Sequence, residues 1–143
     1  MTTLNPDTTP ALRPRPNLGL TVLRVSTGAI FLMHGIQKFF TYTLPGTTGA
    51  FTQMGVPLPS VSAPLVAAVE LIGGLALILG LGTRIAAALL AVNILVAILI
   101  VHLKAGFFSP NGFEFPLALL AASVALALSG GGAASVDRIL RRR

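Results

Sequence analysis

Five ionisable side chains stand inside or beside apolar stretches of this sequence. They are His34 and Lys38 in FLMHGIQKFF (residues 31–40), Glu70 in AAVELIGG, His102 in VHLK and Glu114 in GFEFP. Imidazoles and carboxylates exchange protons near neutral pH, and an ammonium stabilises negative charge as it develops. Glu70 and Glu114 are therefore the candidate proton-exchanging residues, although no catalytic role can be assigned from residue type alone. Each residue also has a plainer reading. Lys38 and Lys104 could snorkel to a membrane interface, Glu114 could favour a helix N-terminus, and His102 could be an ordinary interfacial residue. Glu70 is harder to dismiss. An ionisable group near mid-membrane costs about 2.5–3.5 kcal/mol even on the gentlest insertion scale, so it requires a partner or a protonated state.

The elements that must position these groups follow from composition. The 143 residues are 54% hydrophobic and only 10% charged, with a mean hydropathy of +0.86. A soluble domain carries about a quarter charged residues, so the expected class is an all-α membrane protein. The apolar runs far exceed the roughly 10-residue strands of an outer-membrane barrel. A net charge of +6 raises nucleic acid as a partner, but the basic residues sit at the chain ends and between apolar runs, where they set membrane orientation. The chain has no cysteine, which excludes a dithiol centre, a cysteine-ligated iron–sulfur cluster and a cysteine-type zinc site. No metal site and no covalently bound cofactor are expected.

Four spans are predicted, at about residues 18–40, 62–81, 83–103 and 113–129, each near the ~20 residues a bilayer helix needs. Together they make a four-transmembrane-helix bundle over residues 18–132. Residues 1–17 read as a proline-rich disordered tail and not as a secretory signal, and residues 133–143 as a basic tail. Asn111 or Gly112 is expected to begin the last helix, with Pro116 in its first turn. Arg13 and Arg15, Arg84 and the four C-terminal arginines fall on one side, and only Lys38 and Lys104 on the other. The positive-inside rule then makes both termini cytoplasmic, in a multi-pass protein of the bacterial cytoplasmic membrane. The link TYTLPGTTGAFTQMGVPLPS (residues 41–60) lies outside. It forms a short helix or an ordered loop, with Phe51 and Met54 on one face. No repeat relates the two helical hairpins.

At ~100° per residue, Arg24, Gly28, Phe31, Gly35 and Lys38 share a face of the first helix, with His34 at its edge. Ala63, Ala67, Glu70, Gly74 and Leu77 share a face of the second. Gly28, Gly35, Gly73 and Gly74 read first as packing positions, since small residues let membrane helices approach closely. His34 and Glu70 fall at similar depth, about 10 Å below the outer surface, with Arg24 about 15 Å deeper than His34. Arg24 is thus a charge partner for Glu70 only if fully extended. Asn93 falls opposite Arg84 and His102 on the third helix, where it could make an interhelical hydrogen bond. The expected site is a polar pocket of His34, Lys38, Glu70, His102 and Glu114, open towards the outer leaflet.

Five motifs in order now resemble the DoxX family of bacterial membrane proteins: LR (Leu23–Arg24), HGIQKF (His34–Phe39), VELIGGLALILGLGTR (Val69–Arg84), VHL (Val101–Leu103) and GFEFPLALL (Gly112–Leu120). Each is weak alone, and together they are fairly specific, running from about Leu18 to Asp137. The resemblance implies a four-helix integral membrane protein and a link to respiratory or sulfur redox chemistry. The family takes its name from a subunit associated with a quinol oxidase, and some relatives are subunits of quinone-linked oxidoreductases. The family's motif places Tyr after the glutamate of the fourth helix, where this chain has Phe115, so no hydroxyl is available there.

Three functions compete. The leading one is a quinone- or quinol-binding subunit with a membrane or peripheral redox partner. His34 or His102 would supply an N–H donor, Glu70 or Glu114 the carboxylate, and Lys38 stabilisation of negative charge. The second is a non-enzymatic scaffold or assembly factor docking through small-residue faces. The third is a proton-coupled transporter, for which four spans would require a homo-oligomer. Bis-histidine haem ligation by His34 and His102 is a distant fourth, because their depths differ by several residues.

Overall fold

The computed structural model describes residues 17–140, and every regular element among them is helical. Helix α1 spans Leu18–Ile36 and continues through a wide π turn, Gln37–Thr41. Helix α2 spans Thr43–Met54, and α3 spans Pro59–Leu79. Helix α4 spans Thr83–Ala97 and runs on through a second π turn, Ile98–His102, and a short 3-10 turn to Ala105. Helix α5 spans Glu114–Ser129, and α6 is the short Val136–Leu140. Three of these stretches, Leu18–Thr41, Pro59–Leu79 and Thr83–Ala105, are long and apolar enough to cross a membrane, and the 16-residue α5 is shorter. Their outer faces expose Val22, Ile72, Ile85, Val92 and Leu128. That arrangement is stable only where the surroundings are as apolar as the side chains.

Some boundaries differ from the predicted ones. The last helix begins at Glu114, not at Asn111 or Gly112, because residues 106–113 close a turn of their own, with Phe113 N–H on the Gly106 carbonyl at 3.1 Å and Glu114 N–H on the Phe107 carbonyl at 2.9 Å. Pro116 lies in the first turn of α5, where its missing N–H costs nothing. The segment 41–61 carries α2, tied to α1 by the Thr47 hydroxyl, which donates to the Lys38 carbonyl at 3.0 Å. Most of the N-terminal tail and the last three arginines lie outside the described residues.

Helices α1 and α3 meet across glycines. A Cβ on Gly28 would lie 2.8 Å from the Gly74 carbonyl oxygen, and one on Gly74 would lie 2.4 Å from the Leu32 nitrogen. The packing reading of Gly28, Gly35 and Gly74 therefore holds, and Gly73 faces the Leu90 side chain of α4 instead. Phe31, Leu77, Ala87, Leu90, Leu119 and Leu126 fill the core between α1, α3, α4 and α5.

The end of the bundle away from α2 is closed by polar contacts. Arg24 is 1% exposed. Its guanidinium donates to the carbonyls of Leu77 and Ile78, at the end of α3, and to those of Gly131 and Ala134. The Asp137 carboxylate accepts from the backbone N–H groups of Gly82 (2.7 Å) and Thr83 (2.9 Å), where α4 begins. The chain after α5 thus folds back on the α3–α4 turn and satisfies helix-end groups that would otherwise lack partners.

Candidate functional site

At the opposite end, near α2 and the 106–113 turn, Glu70 projects from the middle of α3 and is 6% exposed. Its Oε2 meets Lys38 Nζ at 2.6 Å, and its Oε1 accepts from Asn93 Nδ2 at 3.2 Å. One carboxylate therefore ties α3 to α1 and to α4. Burying a carboxylate is expensive unless both oxygens meet donors, and here they do. Lys38 belongs to the π turn, whose backbone α2 holds through Thr47. Arg24, a charge partner for Glu70 only if fully extended, does not pair with it. Glu70 lies about 10 Å along α3 from Leu77, and the exposed carbonyls at the helix end capture the guanidinium first.

The cluster opens into a cavity of about 450 Å³. Its walls are mainly apolar, with Phe31, Val66, Ile94, Val101, Phe115 and Leu119 among them, and α2 contributes Phe51 and Met54. His34, Lys38, Glu70, Asn93 and His102 all border it. His34 is exposed on the protein surface and also borders a groove of about 540 Å³ on the outer surface of α1. His102 Nδ1 lies 3.1 Å from the Asn111 carbonyl oxygen. Glu114 is the expected member that does not reach the cavity. Its Oε1 accepts from the Ser109 N–H at 2.7 Å and braces the 106–113 turn. Among the described residues, no three histidine or carboxylate side chains gather as a metal ion would require.

The interhelical hydrogen bond expected of Asn93 forms, to Glu70, but the sequence reading set Asn93 on the side away from His102 and so outside the pocket that it lines. Counting ~100° per residue along a straight α-helix sets residues 93 and 102 about half a turn apart. The π turn at Ile98–His102, closed by Leu103 N–H on the Ile98 carbonyl, takes up one extra residue. That cuts the offset to about 80°, so both side chains border one cavity. The signal was present, since Asn93 is the lone amide in an apolar span, but no sequence rule places a π turn.

An all-helical chain with lipid-compatible outer faces and a charged cluster beside an internal cavity is an integral membrane protein, with the bilayer as its surroundings. This chain belongs to the DoxX family, whose sequence model matches residues 19–103. That match contains His34, Lys38, Glu70, Asn93 and His102 and stops before Glu114. Among curated proteins, the chain is 42% identical over 120 residues to one from Bacillus subtilis named "Putative oxidoreductase CatD", covering 84% of this chain and 85% of that one. A membrane protein of Mycobacterium tuberculosis is 35% identical over 132 residues, covering 85% and 80%. A protein of Haemophilus influenzae is 33% identical over 122 residues, covering 82% and 87%. No solved structure matches the chain.

Proposed function

We propose that this protein is a quinone- or quinol-interacting subunit of a membrane redox complex, sitting in the bacterial cytoplasmic membrane with four crossings and both termini inside. The carrying observation is the part-buried Lys38–Glu70–Asn93 cluster opening into an apolar cavity of about 450 Å³. Such a cavity suits a ligand with an apolar body and a few polar atoms. A bound quinone would supply two-electron, two-proton chemistry. Lys38 has N–H donors beyond the one given to Glu70 and can hold a carbonyl or oxyanion of the ligand. Glu70 can take or return a proton at Oε2, with Asn93 fixing the orientation of the carboxylate. His34, bordering both the cavity and the outer groove of α1, stands where a lipid-soluble molecule would enter. With no cysteine in the chain, electrons come from a redox partner, and the name of the Bacillus relative is in keeping with that setting.

A scaffold docking through small-residue faces is less well supported, because Gly28, Gly35 and Gly74 are spent on α1–α3 packing. The test is calorimetric titration of the purified protein, in mild detergent, with short-chain ubiquinone and menaquinone analogues. Saturable binding is expected, weakened about tenfold in Asn93→Leu and Glu70→Leu, as for loss of one charge-assisted hydrogen bond. Absence of saturable binding by either analogue would end this reading.

A further inference from the structure

The environment of His102 fixes its tautomer. A carbonyl oxygen has no proton to give, so the 3.1 Å contact between His102 Nδ1 and the Asn111 carbonyl requires the hydrogen to sit on Nδ1. A neutral imidazole carries one ring hydrogen. Its Nε2 is then a bare lone pair, and among the described residues nothing donates to it. The Asn111 carbonyl is not free to release Nδ1. It belongs to a turn closed by Gly112 N–H on the Phe108 carbonyl (3.0 Å), by Phe113 N–H on Gly106, by Glu114 N–H on Phe107, and by the Glu114 carboxylate on Ser109 N–H. Glu114 is therefore a positioning residue for His102, acting through the turn.

Two unlike polar residues line the cavity, Lys38 with an ammonium donor and His102 with an imidazole whose Nε2 has no donor among the described residues. A quinone has only acceptor oxygens, so one of them would face a lone pair. A hydroquinone has hydroxyls that both donate and accept, and it can satisfy both groups. We propose that the cavity is a site for the reduced, hydroxyl-bearing form of an aromatic diol, with His102 Nε2 as the acceptor that discriminates it from the oxidised form. The inference rests on the quinone-site reading and adds the redox state and the selecting residue.

The test uses the full chain in detergent, without oxygen, at about pH 8.5. Trimethylhydroquinone, trimethylbenzoquinone and the dimethyl ether of the hydroquinone are titrated calorimetrically. The hydroquinone is expected to bind about tenfold tighter than either of the others, the usual consequence of leaving one buried polar group unpaired. His102→Phe should bring the hydroquinone-to-quinone ratio to about one. Equal binding of hydroquinone and quinone by the wild-type chain, or a ratio that survives His102→Phe, overturns the selection and leaves quinone binding standing. Failure of all three compounds to bind overturns both. A second readout does not depend on whether His102→Phe folds. Nitrogen-15 shifts of the two histidines, distinguished by a His34→Gln variant, should show His102 protonated at Nδ1. Protonation at Nε2 overturns the proposal directly.

Discussion

Taking the charge from Lys38 alone leaves the Glu70 carboxylate with Asn93 as its remaining donor. Lys38→Met should therefore destabilise the protein by about 2 kcal/mol, somewhat below the cost of stranding a fully buried ion, because the cavity keeps the pair partly accessible. The double variant Lys38→Met/Glu70→Leu should recover most of that loss, since no buried charge is left without a partner. Thermal unfolding in mild detergent, followed by helical circular dichroism, measures both. Additive losses in the double variant would show that the pair does not couple. The polar residues themselves were legible from the sequence, because a carboxylate inside an apolar run requires a partner. Which partner it finds was not. Arg24, Lys38 and Asn93 were all within conceivable reach, and the choice turned on distances of a few ångströms between helices.

Two adjacent glycines give the element scale its sharpest contrast. A methyl at Gly74 would run into the backbone of α1 at Leu32, whereas one at Gly73 would meet the flexible Leu90 side chain at 3.1–3.2 Å. Gly74→Ala should therefore cost about 3 kcal/mol, at the upper end for overpacking, because two helix axes must part. Gly73→Ala should stay within about 1 kcal/mol, its lost packing offset by the higher helix propensity of alanine. The same unfolding measurement separates them, and equal effects would deny the α1–α3 contact its place. The helices were readable from hydropathy and length, and the turn at GLGTR from its glycines, with Gly80 and Gly82 both adopting the left-handed backbone. The π turns were not readable. They lie at the ends of α1 and α4, and they change which side chains share a face.

At the scale of the whole molecule, polar contacts divide between two ends. Arg24 and Asp137 lace the α3–α4 turn to the chain after α5, while Lys38, Glu70, Asn93 and His102 surround a cavity beside α2. If the arginine-rich end faces the cytoplasm, the cavity opens towards the outer leaflet. Because the chain has no cysteine, single cysteines can report this orientation without a background. Gln53→Cys on α2 and Leu140→Cys at the end of α6 are both at exposed positions. In intact cells an impermeant maleimide should label the first and spare the second until the membrane is opened. The opposite pattern would reverse the orientation.

The sequence by itself determined that the chain is helical, lives in a lipid bilayer, and carries ionisable groups where lipid would not tolerate them unpaired. Those properties follow from hydropathy, segment length and the cost of moving charge out of water, which act on residues along the chain. Tertiary structure alone decided that Lys38 and Asn93 share the carboxylate of Glu70. It also sent Arg24 to carbonyl groups at the far end of α3 and turned Glu114 from the cavity to the backbone of its own turn. These outcomes depend on which groups lie within about 3 Å of one another. That distance is set by the close approach of α1 to α3 at their glycines, which the sequence marks, and by the extra residue in each π turn, which has no signature along the chain.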